Sequence, residues 1–334
     1  MAVMGAGSIG CYVGGRLAAA GADVVLIGRQ RLAGELAVHG LRLSDYHGVE
    51  SVLRPDQFAF STDAAAAARA ALVLVTVKSA GTAGAAQELA CVLRPDAVVL
   101  SLQNGIGNAD TLRAALATQT VLAGMVPFNV VQRGEGAFHQ GTEGALEVER
   151  HPSLAAFAAA FERAGLPLQQ RDDLRPVQWA KLLLNLNNPI NALSDLPLKT
   201  QLSQRAYRRC LALAQREGLA LLAMAGIQPA RLTRVAPQWI PRLLTLPDAW
   251  FRIVAARMLA IDPLARSSMW EDLQAQRKTE VDWINGEIVA LARRLGQTAP
   301  VNAALVALVH AAEQGGRRQW SGAELWAALT RRYD

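Results

Sequence analysis

The stretch Trp179-Ala180-Lys181-Leu182-Leu183-Leu184-Asn185-Leu186-Asn187-Asn188-Pro189-Ile190-Asn191 carries polar types that folding alone does not explain. On a helix, Lys181, Asn185, Asn188 and Asn191 follow at steps of four, three and three, so they share one face while leucines cover much of the rest. A polar stripe on an otherwise apolar helix must be solvated or must bind something. A merely wet stripe would carry glutamate and arginine, and asparagine is a poor helix former. The stripe is therefore expected to face a ligand, with Pro189 disturbing the helix and freeing the carbonyl of Asn185. Lysine is also scarce: of the 34 basic residues only Lys78, Lys181, Lys199 and Lys278 are lysine. Arginine cannot release a proton at neutral pH, whereas a partly buried ammonium can, so a lysine kept in this chain invites a chemical explanation.

A second chemical motif opens the chain. Gly5-Ala6-Gly7-Ser8-Ile9-Gly10 is a GxGxxG placed between an expected strand and an expected helix. The first glycine permits the tight turn, the second lets a pyrophosphate approach the backbone, and the third lets helix and strand pack closely. The helix N-terminus then offers free N–H groups and partial positive charge to phosphate. With the following strand also in place, the motif indicates dinucleotide binding. That strand ends Ile27-Gly28-Arg29-Gln30-Arg31, without the carboxylate that would hold the ribose hydroxyl of NAD. A 2′-phosphate suits the planar fork of Arg29, and NADPH is the cofactor expected.

Two further loops fall at strand ends, where ligands of open α/β sheets bind. One is Thr76-Val77-Lys78-Ser79 and the other Ser101-Leu102-Gln103-Asn104-Gly105-Ile106-Gly107-Asn108, which makes Lys78 and Asn104 candidates beside a nicotinamide. The last polar cluster runs from Ser267-Ser268-Met269 to Arg277-Lys278-Thr279-Glu280-Val281-Asp282-Trp283-Ile284-Asn285-Gly286. Thr279 fits a helix N-cap with Asp282 completing an approximate capping box, and Glu280 then falls in the first turn. Cap stability and chemistry account for Glu280 equally well at this point.

The elements that must hold these residues divide into two kinds. Short β-branched runs at 2–4, 23–27, 72–77 and 97–100 alternate with helical stretches through 20 and near 63–70 and 82–93. An irregular, glycine-rich, antiparallel stretch is expected over 121–149, then a helix at 153–164 and a strand at 168–170. From Val177 onward the apolar period becomes 3.6, predicting helices over 177–193, 203–224, 264–277, 280–295 and 302–313. The fold class expected is an α/β N-terminal Rossmann-type parallel-sheet domain, residues 1–171, and an all-α C-terminal domain, residues 172–334. The proline-punctuated segment 227–263, with Trp239, Trp250 and Phe251, is expected to be an inserted helical pair on the surface.

Composition narrows the function classes. With 51% apolar and 19% charged residues the chain is globular rather than disordered. No apolar run approaches the ~20 residues of a membrane span. The N-terminus has no export signal, so a cytoplasmic location is expected. Cys11, Cys91 and Cys210 are scattered without metal or disulfide spacing, and no metal is expected. The net charge of +6 is spread singly and in pairs without aromatic interleaving, so a nucleic-acid partner is not expected.

In the order and spacing of these pieces, together with Trp-Ala-Lys-Leu-Leu-Leu-Asn, Ser-Ser-Met and Arg-Lys-Thr-Glu-Val-Asp-Trp-Ile-Asn-Gly, the chain resembles the 2-dehydropantoate 2-reductase (ketopantoate reductase) family over nearly its whole length. The resemblance implies a Rossmann domain joined to a helical domain like that of 6-phosphogluconate dehydrogenase. It implies NADPH-dependent hydride transfer to ketopantoate, giving pantoate for pantothenate and coenzyme A synthesis. Lys181 matches the family's catalytic lysine and Glu280 its active-site glutamate, which would hold the substrate hydroxyl or help position Lys181. Asn104, Asn185, Asn188 and Ser268 match positions lining the substrate or nicotinamide site. Lys78 and Asn129 match cofactor-side positions, and Arg29 matches the reader of the 2′-phosphate. Two departures stand out: a further substrate asparagine of the family corresponds to Leu198, and the segment 227–263 lengthens the chain. They leave reduction of a different 2-oxo acid as the alternative within the class. A non-catalytic NADPH-binding sensor is the alternative outside it, and a sensor would need no proton donor at Lys181. The partner expected is a small 2-oxo acid, with a homodimer as the assembly entertained.

Overall fold

The computed structural model describes residues 1–254 and 265–331. The chain divides into two compact units, Met1–Leu174 and Arg175–Asp334. The first holds strands β1 (Ala2–Met4), β2 (Val25–Ile27), β3 (Leu41–Asp45), β4 (Glu50–Leu53), β5 (Ala59–Ser61), β6 (Leu72–Val75), β7 (Val98–Ser101), β8 (Thr120–Met125), β9 (Val130–Gly134), β10 (Ala137–Gln140), β11 (Leu146–Glu149) and β12 (Leu168–Arg171). Its helices are α1 (Ser8–Ala19), α2 (Gln30–His39), α3 (Thr82–Val92), α4 (Asn108–Ala115) and α5 (Ala155–Arg163).

The main sheet has the order β12-β11-β8-β7-β6-β1-β2-β5, and every pair is parallel except β8 with β11. Side chains that alternate along a strand enter opposite layers. Along β6, Leu72 and Leu74 join Val3, Leu26, Leu100 and Leu122 in one core with Tyr12 and Leu17 of α1 and Phe161 of α5. Val73 and Val75 join Ala2, Met4, Val99 and Val121 in the other, with Leu89 of α3 and Leu112 of α4. Both faces are covered, which is why these strands are continuous apolar runs. Each large apolar side chain so buried contributes roughly 1.5–3 kcal/mol. From β1 the chain builds outward through β2 and β5, then returns to β6 and builds the other way. The crevice at the C-terminal ends of β1 and β6 is therefore the topological switch point, where ligands of such sheets bind.

Parts of this unit differ from the expectation. Thr120–Met125 is a regular buried strand rather than part of an irregular stretch: it pairs antiparallel with β11, as expected, but parallel with β7 on its other side. Its apolar run is covered on both faces, as a central strand requires. A second sheet, β4-β3-β10-β9, takes its antiparallel β9–β10 pair from the stretch expected over 121–149, whereas β3 and β4 lie outside any expected strand. The helix expected near 63–70 is one 3-10 turn, Ala64–Ala67, begun by Asp63, whose carboxylate accepts from the Ala65 N–H at 2.8 Å.

The second unit is helical: α6 (Arg175–Asn185), α7 (Asn187–Ser194), α8 (Leu198–Ser203), α9 (Arg205–Met224), α10 (Ile240–Leu244), α11 (Asp248–Val254), α12 (Ser268–Gln274), α13 (Val281–Arg294), α14 (Pro300–Glu313) and α15 (Gly322–Thr330). The long α9 packs against α7, α8, α10, α13, α14 and α15. Of the segment 227–263, the described part forms α10 and α11, and the rest, like the first residue of the helix expected over 264–277, lies outside the described residues. Arg208 of α9 fastens this part. Its buried guanidinium donates to the carbonyls of Leu244 (3.1 Å), Leu202 (3.0 Å) and Leu246 (2.8 Å), pairs with Asp248 at 2.8 Å and stacks 4.0 Å from the Phe251 ring centre. Among the described residues no helix is long and apolar enough to cross a membrane.

Candidate functional site

In the first unit, the three glycines of the opening loop meet three different surroundings. Gly5 has φ +109°, and a Cβ there would fall on the backbone of Val77. A Cβ at Gly10 would lie 2.6 Å from Thr76 Oγ1 and collide with the Gly5 carbonyl. At Gly7 a Cβ would meet only the Gly5 oxygen, 4.0 Å away, so that position is open. Two glycines thus serve the fold and one leaves room for a ligand. The Thr76 hydroxyl pins the turn by donating to Gly5 O at 2.7 Å, and Ile27 O accepts from the N–H groups of Gly5 (3.0 Å) and Ala6 (2.8 Å). Helix α1 begins directly after Gly7, with no side-chain cap and no acid in its first turn; its first turn includes Ser8 and Ile9. Such an end presents unpaired N–H groups to an anion.

The arginines after β2 part company. Arg31 is engaged with Glu35 one turn on, at 3.3 Å. Arg29 is exposed at the N-cap of α2, and among the described residues its guanidinium has no partner. It follows Ile27 by two residues, beside the glycine turn that bonds to Ile27.

The loops carrying Lys78 and Asn104 are tied together by buried side chains. The Gln103 amide donates to Val77 O (2.9 Å) and to the Thr82 hydroxyl (2.7 Å), which donates to Asn108 Oδ1 at 2.7 Å. Asn108 Nδ2 donates to Asn104 O (2.5 Å) and Ser79 Oγ (3.1 Å). Lys78 is exposed and Asn104 half-buried. Asn129 lies farther along, in the turn after β8. Its backbone N–H donates to the Thr142 hydroxyl at 2.9 Å, its side chain is exposed, and no hydrogen bond joins it to the glycine loop among the described residues.

In the second unit, the helix expected over 177–193 is two helices broken at Leu186. Pro189, third residue of α7, has no N–H to offer Asn185 O, so the ladder is interrupted. Gln215 of α9 donates instead to Leu183 O at 3.1 Å and steadies the end of α6. Lys181 sits one turn before the break, and burial lowers its ammonium to about 8. Four amides nearby have two fates. Asn191 is wholly buried and spent on the chain, donating to Leu196 O (2.9 Å) and accepting from Ser267 N (2.9 Å). Asn187 pairs with the Gln201 amide in both directions at 3.1 Å. Asn185 and Asn188 are half-buried, and their side-chain amides have no partner among the described residues. Asn191 is thus removed from the stripe expected to face a ligand, and Lys181, Asn185 and Asn188 remain its candidates.

Ser267, not its neighbour, stitches α12 to α7: its hydroxyl donates to Asn188 O (3.3 Å) and accepts from Trp270 N (3.2 Å). That leaves Ser268 exposed at the start of α12. The capping box expected at Thr279 is absent. The Thr279 hydroxyl accepts from Val281 N at 3.3 Å, but Asp282 turns to His310 (3.1 Å), and α13 begins a residue later than the motif implies. Glu280 is thus the N-cap residue rather than a first-turn residue, and its half-buried carboxylate does not cap its own helix. Gly218 of α9 brings the two helices close, since a Cβ there would be 3.1 Å from both Leu183 of α6 and Ile288 of α13. Sequence reading missed Ser267, Gln215, Gly218 and the Thr82–Asn108 pair. Their signal, a polar or small residue inside an apolar helix, is shared by many structural positions.

A parallel sheet with a glycine loop at its switch point, continued by an all-helical unit, defines a dinucleotide-binding protein with a separate helical domain. The family model "Ketopantoate reductase PanE/ApbA" matches residues 1–153, and "Ketopantoate reductase PanE/ApbA C terminal" matches residues 173–313. The chain belongs to the ketopantoate reductase family and is an oxidoreductase. It is 31% identical to the 2-dehydropantoate 2-reductase of Halobacterium salinarum over 94% of this chain and 99% of that protein. The crystal structure of a PanE/ApbA family ketopantoate reductase from Ralstonia eutropha JMP134 matches with TM-score 0.80 and 34% identity, over 94% of this chain and 98% of that one. The ternary structure of D-mandelate dehydrogenase with NADH and anilino(oxo)acetate shares the fold, with TM-score 0.75 and 21% identity over 94% of this chain and 98% of that one.

Proposed function

We propose that this chain is an NADPH-dependent reductase of 2-dehydropantoate, producing pantoate for pantothenate and coenzyme A synthesis. The observation that carries the reading is Lys181, an ammonium lowered by burial to about 8 on α6, with the amides of Asn185 at the end of that helix and Asn188 at the start of α7 unpartnered among the described residues. The residues fit the cofactor: Gly7 leaves space for a pyrophosphate at the N-terminus of α1, and Arg29 has a guanidinium that no described residue engages, to spare for a 2′-phosphate. Gly5, Ala6, Gly7, Ser8, Ile9 and Gly10 would hold the phosphates, with Lys78, Asn104 and Asn129 toward the rest of the nucleotide. When bound, NADPH supplies the hydride that reduces the ketone.

The chain's own groups do the rest. Reduction of a ketone leaves an alkoxide, which needs charge stabilisation and a proton. The Lys181 ammonium donates a hydrogen bond to the carbonyl oxygen and then the proton itself. Asn104, Asn185, Asn188 and the Ser268 hydroxyl orient the carboxylate and the distal hydroxyl without adding charge. Fixed orientation matters because transfer needs near-attack geometry. The Glu280 carboxylate accepts from the substrate hydroxyl or holds Lys181 in place.

The test is NADPH oxidation across a panel of 2-oxo acids, with NADH as comparator and Lys181→Ala beside the parent. Ketopantoate with NADPH is expected to be the preferred pair, and turnover is expected to fall as pH rises through about 8, where Lys181 loses its proton. Lys181→Ala should lose turnover by about 10²-fold or more while keeping NADPH affinity. Unchanged turnover in that variant would remove the mechanism, and a smaller or bulkier 2-oxo acid as best substrate would change the reaction's assignment.

A further inference from the structure

We propose that Asn108, with Thr82 and Gln103, is a positioning group that sets the Lys78 and Asn104 loops for the nicotinamide half of the cofactor; this rests on the NADPH reading above. All three side chains are buried, with relative exposures of 5% for Asn108, 2% for Thr82 and 8% for Gln103. A buried polar cluster contributes little net stability over apolar packing of the same shape, so its use lies in what it fixes. What it fixes is backbone at the C-terminal edge of the sheet.

Lys78 is bracketed by two of its bonds. On one side Gln103 Nε2 holds Val77 O at 2.9 Å, and on the other Asn108 Nδ2 holds Ser79 Oγ at 3.1 Å. The same Asn108 nitrogen holds Asn104 O at 2.5 Å, and Ser79 Oγ also donates to that oxygen at 3.2 Å. One amide therefore sets the spacing between the ends of β6 and β7. Thr82 sets the amide's orientation: its hydroxyl accepts from Gln103 at 2.7 Å and donates to Asn108 Oδ1 at 2.7 Å. Ser101 completes the chain by donating to Gln103 Oε1 at 2.9 Å, which leaves Nε2 facing Val77. Donor and acceptor roles alternate through five side chains, so reversing one amide would break bonds at both of its ends.

Position on the sheet gives the consequence. Strands β6 and β7 lie on the far side of β1 from β2, and β2 is the strand that leads to Arg29. In a sheet of this order the two halves of a dinucleotide lie on opposite sides of the switch point. Disturbing the Asn108 cluster should therefore weaken recognition of the nicotinamide half and leave the adenosine half alone.

The experiment compares NADPH with 2′-phospho-ADP-ribose, which lacks the nicotinamide, by titration calorimetry on the full chain and on Asn108→Asp, Thr82→Val and Thr82→Ser. Asn108→Asp keeps the shape and loses both donated bonds; Thr82→Val keeps the shape and loses the relay. Each is expected to weaken NADPH about tenfold while 2′-phospho-ADP-ribose stays within about two-fold of the parent. Thr82→Ser, which keeps the hydroxyl, is expected to match the parent with both ligands. Parallel weakening of the two ligands would make the cluster a general support of the unit and overturn the proposal, as would unchanged NADPH binding in both Asn108→Asp and Thr82→Val. A parent chain that binds neither ligand would instead bring down the NADPH reading itself.

Discussion

An ammonium is held in a poorly hydrated place only where the surroundings compel it, and Lys181 is such a group. Burial lowers it from 10.5 to about 8, so between those values the unfolded chain binds a proton that the folded chain does not. Stability should therefore rise with pH through that window, and below about 8 the folded protein carries the charge at a cost. Lys181→Met is accordingly expected to be more stable than the parent at pH 7, by up to ~3 kcal/mol, while losing turnover. Its advantage should shrink as pH rises through the window and disappear above 10.5, in urea titrations at fixed pH values. A variant less stable than the parent at pH 7 would mean that a partner stabilises the charged lysine more than burial penalises it. The position of Lys181 was legible in the sequence because lysine is rare in this chain and asparagine rare on apolar helices. The separate fates of the asparagines were not. An amide spent within the protein and an amide without a partner among the described residues have the same spacing, and only the neighbours Leu196, Ser267 and Gln201 tell Asn191 and Asn187 from Asn185 and Asn188. The different fates of the arginines after β2 have a sequence signal, since Glu35 stands one turn after Arg31 and no acid stands so after Arg29.

At the scale of elements, the glycine loop separates folding from binding within six residues. Gly5→Ala would place a side chain at φ +109° against the Val77 backbone, so it is expected to destabilise the unit by several kcal/mol, on the order of 2–4. Gly7→Ala meets open space at φ −106°, so its melting temperature should stay near the parent's while NADPH affinity drops by about tenfold or more. Differential scanning fluorimetry with and without NADPH reads both effects. A Gly7→Ala protein that binds NADPH like the parent would show that no ligand approaches there. The parallel strands and α1 were legible because apolar runs bounded by glycine have few other uses. The second sheet was not, because β3 and β4 are short, half-exposed and mixed in character. The break at Leu186 was half legible: Pro189 announces a disturbance, but the third position of a helix tolerates proline, so the outcome is a restart and not an end.

The molecule as a whole is built from two units that close their own cores. The apolar layers on both faces of the main sheet draw all their buried members from residues before Leu174, and the helices of the second unit pack on α9. Such units are expected to unfold in separable steps, and each step should answer to its own perturbation. Arg208→Met removes a buried guanidinium that satisfies three carbonyls and Asp248, leaving those carbonyls without their donor. Loss of such a network costs on the order of 3–5 kcal/mol, so the transition of the second unit should fall in temperature while that of the first stays in place. Saturating 2′-phospho-ADP-ribose should do the reverse, raising the first unit's transition by mass action and leaving the second untouched. Scanning calorimetry of parent and variant, each with and without the ligand, gives four traces in which the two shifts should be independent. A single transition that moves under both treatments would mean that the cores melt as one, and the division of the chain at Leu174 would then describe packing density without describing cooperativity.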